Sequence, residues 1–148
     1  FATICLDSVS EILEVLLANE RAGKRDPRQA YGEVLVQGVK LIRAFRDLPG
    51  RNIVLIAKEE WAKDEGGRMF YQPSFPGAKL GPAVPYYPDE VFRYVMFTDP
   101  QTRQVTRALR CHPDQFSVAK DRSGALNEWE MPDLTAIFTK IAKTGALG

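Results

Sequence analysis

Two short runs in this sequence carry the residue types that metal and phosphate chemistry needs. The first is Phe1-Ala2-Thr3-Ile4-Cys5-Leu6-Asp7-Ser8, an apolar strand ending in an acid. A carboxylate at the C-terminal tip of a buried strand faces the crevice where α/β proteins bind ligands. Mg²⁺ takes oxygen donors and keeps several waters, so one acid acting through water suffices. Ser8 and Ser10 could hydrogen-bond in the same crevice. The same residues also suit helix entry, because Asp-Ser-x-Ser is a good capping sequence. The second run is Lys120-Asp121-Arg122-Ser123-Gly124. Arginine offers a planar fork for phosphate oxygens, and lysine a mobile point charge. Spaced by two, the cations leave a strand on the same face. Lent across a subunit boundary, they would stabilise transition-state charge. A solvated turn before Ser123-Gly124 is the plainer alternative.

Other residues offer less. Lys58 and Glu59 close the next apolar strand, where a side chain can sense a terminal phosphate or an attacking water. The stretch from Lys58 to Tyr87 is dense in glycine and proline and sets Trp61, Phe70, Tyr71 and Phe75 among Lys63, Arg68 and Lys79. Aromatic rings stack bases and cations track phosphates in single-strand binding. A loop tucked onto the core by its aromatics explains the same pattern. His112, the single histidine, precedes Pro113 with no serine or cysteine partner in view. Glu128, Glu130 and Asp133 read as a helix entrance rather than paired catalytic acids. Gly23-Lys24 has no glycine five residues before it and is followed by Arg25, so it is not a phosphate-binding loop.

Composition sets wide bounds. A chain of 148 residues is long enough for one domain with a real core, and 1–148 is read as a single domain. A net charge of +1 gives no global signal for nucleic acid or membrane. Locally, Arg103, Arg107 and Arg110 occupy an acid-free stretch that reads as a solvated strand face. Two distant cysteines and one histidine cannot make a zinc cluster of the usual spacing. Cys5 reads as a small buried hydrophobe. No apolar run approaches the roughly 20 residues that span a bilayer, and no signal peptide is visible. Nothing about the two cysteines demands a disulfide, so the default is a reducing, cytosolic setting. The start at Phe1, directly inside a strand-like run, suggests a lost upstream segment.

The elements that must position these residues alternate in type. Ile4–Leu6 suits a strand buried on both faces of a parallel sheet. A helix follows, capped by Ser8 or Ser10, with Ile12, Val15 and Leu16 inward. A polar break over 22–28 leads to a second helix from about Gln29 to Phe45, with Tyr31, Leu35, Leu41, Ile42 and Phe45 as its apolar stripe. Asn52–Ala57 is a second buried strand, completing a crossover unit. After the long loop, with a short helix near 78–84, Val91–Phe97 and Gln104–Cys111 form a hairpin. A short strand near 116–119 precedes Lys120, and a last helix runs from about Leu134 to Ala142. The pattern is α/β, mostly parallel, with an antiparallel C-terminal hairpin.

Several stretches together resemble a known family. They are Ile4-Cys5-Leu6-Asp7-Ser8 followed by Ser10-Glu11-Ile12, Asp26-Pro27-Arg28-Gln29-Ala30-Tyr31-Gly32, Leu41-Ile42-Arg43-Ala44-Phe45-Arg46-Asp47-Leu48-Pro49, Pro76-Gly77-x-Lys79-Leu80-Gly81, Asp89-Glu90-Val91-Phe92 and Ala119-Lys120-Asp121-Arg122-Ser123-Gly124. The chain resembles the C-terminal two-thirds of phage-type RecA-like ATPases, the AAA-domain proteins of single-strand-annealing recombination. The resemblance implies a RecA-like P-loop NTPase core without its first strand and phosphate loop. It implies ATP and Mg²⁺ as cofactors of the intact protein, single-stranded DNA and further copies of the chain as partners, and a host-cytoplasm location. Asp7 matches the metal-side acid, with Ser8 beside the nucleotide. Lys58 matches a sensor, and Lys120 and Arg122 a cation pair acting in trans. Trp61, Lys63, Arg68, Phe70 and Lys79 fall where such proteins bind DNA. The loop Gly-x4-Gly-Lys-Thr/Ser is not among these residues, so this chain alone should hydrolyse ATP negligibly. A non-catalytic single-strand-binding or self-assembly module is the alternative.

Overall fold

The first acid-bearing strand and its parallel neighbour are joined by two helices. The computed structural model describes residues 2–22 and 26–145. Phe1 and the Gly23-Lys24-Arg25 part of the basic break lie outside them. The described chain divides into two compact units, one of residues 1–62 and 71–87, the other of 63–70 and 88–148.

In the first unit, β1 (Thr3–Asp7) runs parallel to β2 (Asn52–Ile56), with Asp7 opposite Ile56 at the strand tips. Between them come α1 (Val9–Ala22) and α2 (Pro27–Arg46). Ser8 opens α1 by accepting the Glu11 N–H at 3.2 Å. Asp26 opens α2 by accepting the Arg28 N–H at 2.9 Å, and Pro27 fits the first turn, where no N–H is needed. The inward stripes match the expected ones only in part: Ile42 is buried and Leu16 and Leu35 pack against the core, but other positions lead. In α1 they are Val9, Leu13 and Leu17, while Ile12 and Val15 are exposed. In α2 they are Ala30, Val34, Gly38 and Ile42. In a helix so rich in apolar residues, several i, i+4 rows compete, and small residues decided it. At Gly38 an added Cβ would lie 3.2 Å from a methyl carbon of Leu13, so the helices meet where the side chain is missing. Phe75, Leu80 and Val84 complete this core, with Leu6 and Leu55 packed on it from the strands. Strand β1 is covered on one face only. Ile4 and Leu6 are half-buried, while Thr3, Cys5 and Asp7 are exposed. Cys5 is therefore not a core residue.

The long segment after β2 is more ordered than its glycines and prolines suggest. Strands β3 (Glu59–Lys63) and β4 (Met69–Pro73) pair with each other. A short α3 (Leu80–Ala83) and a 3₁₀ turn (Val84–Tyr86) follow. The alternation Glu59-Glu60-Trp61-Ala62-Lys63 is strand-like but hidden by charge, and Gly66-Gly67 supplies the turn, Gly67 with φ +87°.

The second unit pairs β5 (Glu90–Val91) with β8 (Lys120–Asp121), and β7 (Val105–Arg110) with β6 (Arg93–Thr98) on one side and β9 (Trp129–Glu130) on the other, all antiparallel. Helix α4 (Leu134–Lys143) is capped by Asp133, which accepts the Ala136 N–H. Leu109, Cys111, Leu126, Ile137 and Ile141 form its core.

These pairings correct the expected fold class. Among the described residues, β1–β2 is the one parallel pair, and the other pairings are antiparallel, so this is not a mostly parallel RecA-like core. A parallel neighbour needs a long crossover, and the chain provides one through α1 and α2. Afterwards short connections such as 64–68 and 99–104 can join only antiparallel neighbours.

Ser10 ties the first unit together. Fully buried, it donates to the Ser74 carbonyl at 2.7 Å and accepts the Lys58 N–H at 3.0 Å. Ser10→Ala should lower stability by about 1–3 kcal/mol, because two backbone groups lose a buried partner. Urea unfolding checks this, and a wild-type midpoint would contradict it.

Candidate functional site

The acid end lies in the first unit. Asp7 ends β1 on its uncovered face, and its carboxylate makes no hydrogen bond or ion pair among the described residues. The Asp7–Ser8 peptide is cis. Ser8 Oγ is engaged as the α1 cap. Lys58 follows β2, but its ammonium is not idle. It lies 2.8 Å from Glu14 and 3.3 Å from Glu11, both on α1. The hydrogen bond to Glu14, ahead of that to Glu11, holds its pKa above the usual lysine value against the cost of desolvation.

The donor set fits Mg²⁺ only in an outer role. One unpartnered carboxylate at a strand tip can hold metal-bound water. No group of three or more His, Cys, Asp or Glu among the described residues could enclose an ion. The triphosphate itself is not fitted by these residues, since the 148-residue sequence holds no Gly-x4-Gly-Lys-Ser/Thr loop.

The cation end lies in the second unit and is built with more care. Lys120 and Asp121 form β8, with Glu90 opposite Asp121 and Val91 opposite Lys120. Asp121 turns inward, its side chain 3% exposed. Its oxygens accept the Ser123 hydroxyl at 2.6 Å, the Gly124 N–H at 2.9 Å and the Leu126 N–H at 2.9 Å. His112 Nε2 stands 3.8 Å away and also meets the Leu126 carbonyl at 3.1 Å. Glu90 accepts the backbone N–H groups of Arg122 and Ser123, each at 3.1 Å. Arg122 reaches outward, with Nη1 2.7 Å from Asp89. Desolvation pulls the Lys120 pKa down, while Asp89 acts to raise it. Asp89 thus pairs with Arg122 and, with Glu90, also acts on Lys120.

Charge is partitioned between the facing acids. Burial raises the Glu90 pKa, and the Asp121 carboxylate adds to that. Burial would raise Asp121 too, but the bonds from Ser123, Leu126 and Gly124 outweigh it and hold Asp121 low. Cys111, buried nearby, is pushed up to about 11 by desolvation and then by Glu130, Asp121 and Glu90. It is a packed thiol, not a nucleophile.

The aromatic and basic residues each have their own local partners. Glu59, Trp61 and Lys63 share the exposed side of β3, and Tyr71 meets Trp61 at 4.2 Å between ring centres. Arg68 is held by Asp64 at 3.0 Å and lies over the Phe70 ring. Lys79 precedes α3 and lines a cavity of about 330 Å³ with Tyr31, Leu35, Pro76, Gly77, Ala78 and Leu80. Glu60, on the other side of β3, accepts from Gln72 and Ser74. Sequence reasoning missed Glu90, Asp89 and the buried role of Asp121. The one available signal was an acid between two cations, which is how an inward carboxylate in a strand appears.

An AAA-domain family model matches residues 1–123, which takes in both charged ends. No curated protein and no solved structure matches the sequence. Among the described residues, no helix is long and apolar enough to cross a membrane.

The ion pair of Glu130 with Lys140 yields a pH prediction. Both Glu130 oxygens lie 2.6 Å from Lys140 Nζ, and the Asn127 N–H adds a bond. Burial opposes ionisation, but Lys140 and Asn127 prevail and hold the pKa below the usual value. A depressed carboxylate stabilises fully above its unfolded pKa, about 4.3, and loses that stability as pH falls through its folded pKa. Glu130→Gln should therefore flatten the acid limb of melting temperature against pH. An unchanged limb would contradict the pairing.

Proposed function

This chain belongs to the AAA-domain family, and from that premise we propose that it is part of an ATP-driven recombination protein of phage type that works on single-stranded DNA as an oligomer. Family membership is consistent with nucleotide binding. In this reading Asp7 holds metal-bound water, with Ser8 at the same edge. Lys58 senses the nucleotide from the neighbouring strand once freed from Glu14. Lys120 and Arg122 reach into the site of an adjacent copy. Bound Mg²⁺ would neutralise phosphate charge there. The whole of 1–148 acts as one domain, and the host cytoplasm is its setting. The phosphate-binding loop must be supplied from outside these residues.

The observation that carries the reading is the construction of the cation end. A buried acid and a half-buried one fix the backbone at 121–126, and on that fixed turn Arg122 pairs with exposed Asp89 while Asp89 and Glu90 both act on Lys120. An ordinary surface turn needs no such foundation. In the full-length gene product, Arg122→Ala should lower ATP hydrolysis by about a hundredfold or more. Mixing it with a subunit that retains Arg122 but has lost Asp7 should restore part of the rate, because the cation acts in trans. Hydrolysis unchanged in Arg122→Ala would end the proposal.

A second reading is favoured by exposed Trp61, packed on half-buried Tyr71 beside Lys63 on β3. It is a single-strand-binding module indifferent to ATP. Both readings place DNA on these residues and, less centrally, on Arg68, Phe70 and Lys79. Trp61→Ala should weaken oligonucleotide binding by about 1–3 kcal/mol, and binding should fall with added salt. Filter binding with and without ATP separates the two, since only the motor should respond to nucleotide. Binding untouched by Trp61→Ala removes the interface from both.

A further inference from the structure

We propose that Glu90 is a positioning residue that aims Arg122 toward the phosphate groups of a nucleotide held by an adjacent copy of this chain. The inference rests on the trans-acting role proposed above for Lys120 and Arg122. Its physical basis is local and does not depend on nucleotide.

Arg122 has a long side chain, and its direction is set first by its own backbone. That backbone stands just past β8, where the ladder with β5 has ended. Beyond the ladder, one carboxylate takes over. Glu90 Oε2 accepts the Arg122 N–H and Oε1 accepts the Ser123 N–H, each at 3.1 Å. Two successive N–H groups clasped by two oxygens of one acid fix the peptide plane between them. Asp121, the cross-strand partner of Glu90, holds the far side of the turn through Ser123, Gly124 and Leu126. The turn closes at Gly124, with φ +66°, a conformation that glycine adopts without penalty.

The arrangement costs something. Glu90 is half-buried opposite another carboxylate, and a surface turn could leave its N–H groups to water instead. An acid there, bonded to the backbone of Arg122, whose guanidinium lies at the surface against Asp89, makes sense if that guanidinium must point in one direction. Preorganised donors are effective because they need no rearrangement when charge develops. Glutamine cannot replace the acid, since its amide would turn a donor against one of the two N–H groups.

The test uses the full-length protein and two measurements. In Glu90→Gln, amide hydrogen exchange at Arg122 and Ser123 should speed up, while helix α4 keeps its protection. ATP hydrolysis should lose about tenfold in kcat, with KM within about twofold, the pattern of a misplaced transition-state contact. Glu90→Asp should recover part of the rate, and Glu90→Gln combined with Arg122→Ala should be no slower than Arg122→Ala alone. Wild-type exchange at both amides in Glu90→Gln overturns the positioning role, whatever hydrolysis does. Wild-type kcat in Glu90→Gln, with Arg122→Ala impaired, overturns it too but leaves the proposed function standing. If Arg122→Ala hydrolyses ATP normally, the functional reading fails and this inference fails with it. Should Glu90→Gln not fold, the Glu90→Asp exchange and kcat decide by the same criteria.

Discussion

A single buried hydroxyl organises the acid-bearing unit. Ser10 sits in the first turn of α1, where the chain has just left β1. It donates to the carbonyl of Ser74 and accepts the amide of Lys58, while the Ser74 amide donates to the Lys58 carbonyl at 2.7 Å. Three chain segments, remote in sequence, meet at one oxygen. Buried backbone groups outside a ladder must find such partners. With that junction closed, Ser74 can also bond Glu60, and Phe75 can enter the core beneath it. The position of Asp7 follows, because β1 and α1 are held against the segment that follows β2.

The second unit solves a similar problem with charge. Asp121 and Glu90 face each other across two short strands, and neither strand is long enough to fix the following turn by ladder bonds alone. The carboxylates do it instead, each collecting N–H groups of the turn. The environment separates the two acids. Asp121, gripped by three donors, is the stronger acid, and Glu90, desolvated beside it, is the weaker. Arg122 then extends from a fixed turn, with Lys120 half-buried in the strand before it.

The helix pair and the parallel strands were legible because a crossover unit leaves a strong pattern of apolar runs and caps. Asp133 begins its helix where its chemistry says it should, while α2 begins at Pro27 under an Asp26 cap, inside what reads as a polar break before Gln29. The inward faces were not legible. Ile12 and Leu13 are equally apolar, and the choice between them was made by the close approach at Gly38. The hairpin of β3 and β4 was hidden because its half-buried side carries Glu60, a charged residue that finds two neutral donors only once the strands have paired. The expected sheet failed for a related reason. Strand-like runs announce themselves in sequence, but their neighbours depend on connection length.

By itself the sequence determined the residue chemistry and the local elements: an acid after an apolar strand, two cations flanking an acid, and where helices begin. Those follow from side-chain type and from interactions between near neighbours. Tertiary structure alone decided the sheet pairings, the exposure of Cys5 and Asp7, the engagement of Lys58 with Glu11 and Glu14, and the grip of Glu90 on the Arg122 backbone. Each joins residues tens of positions apart, and the free energy of such a contact exists only after the chain has closed the loop between them.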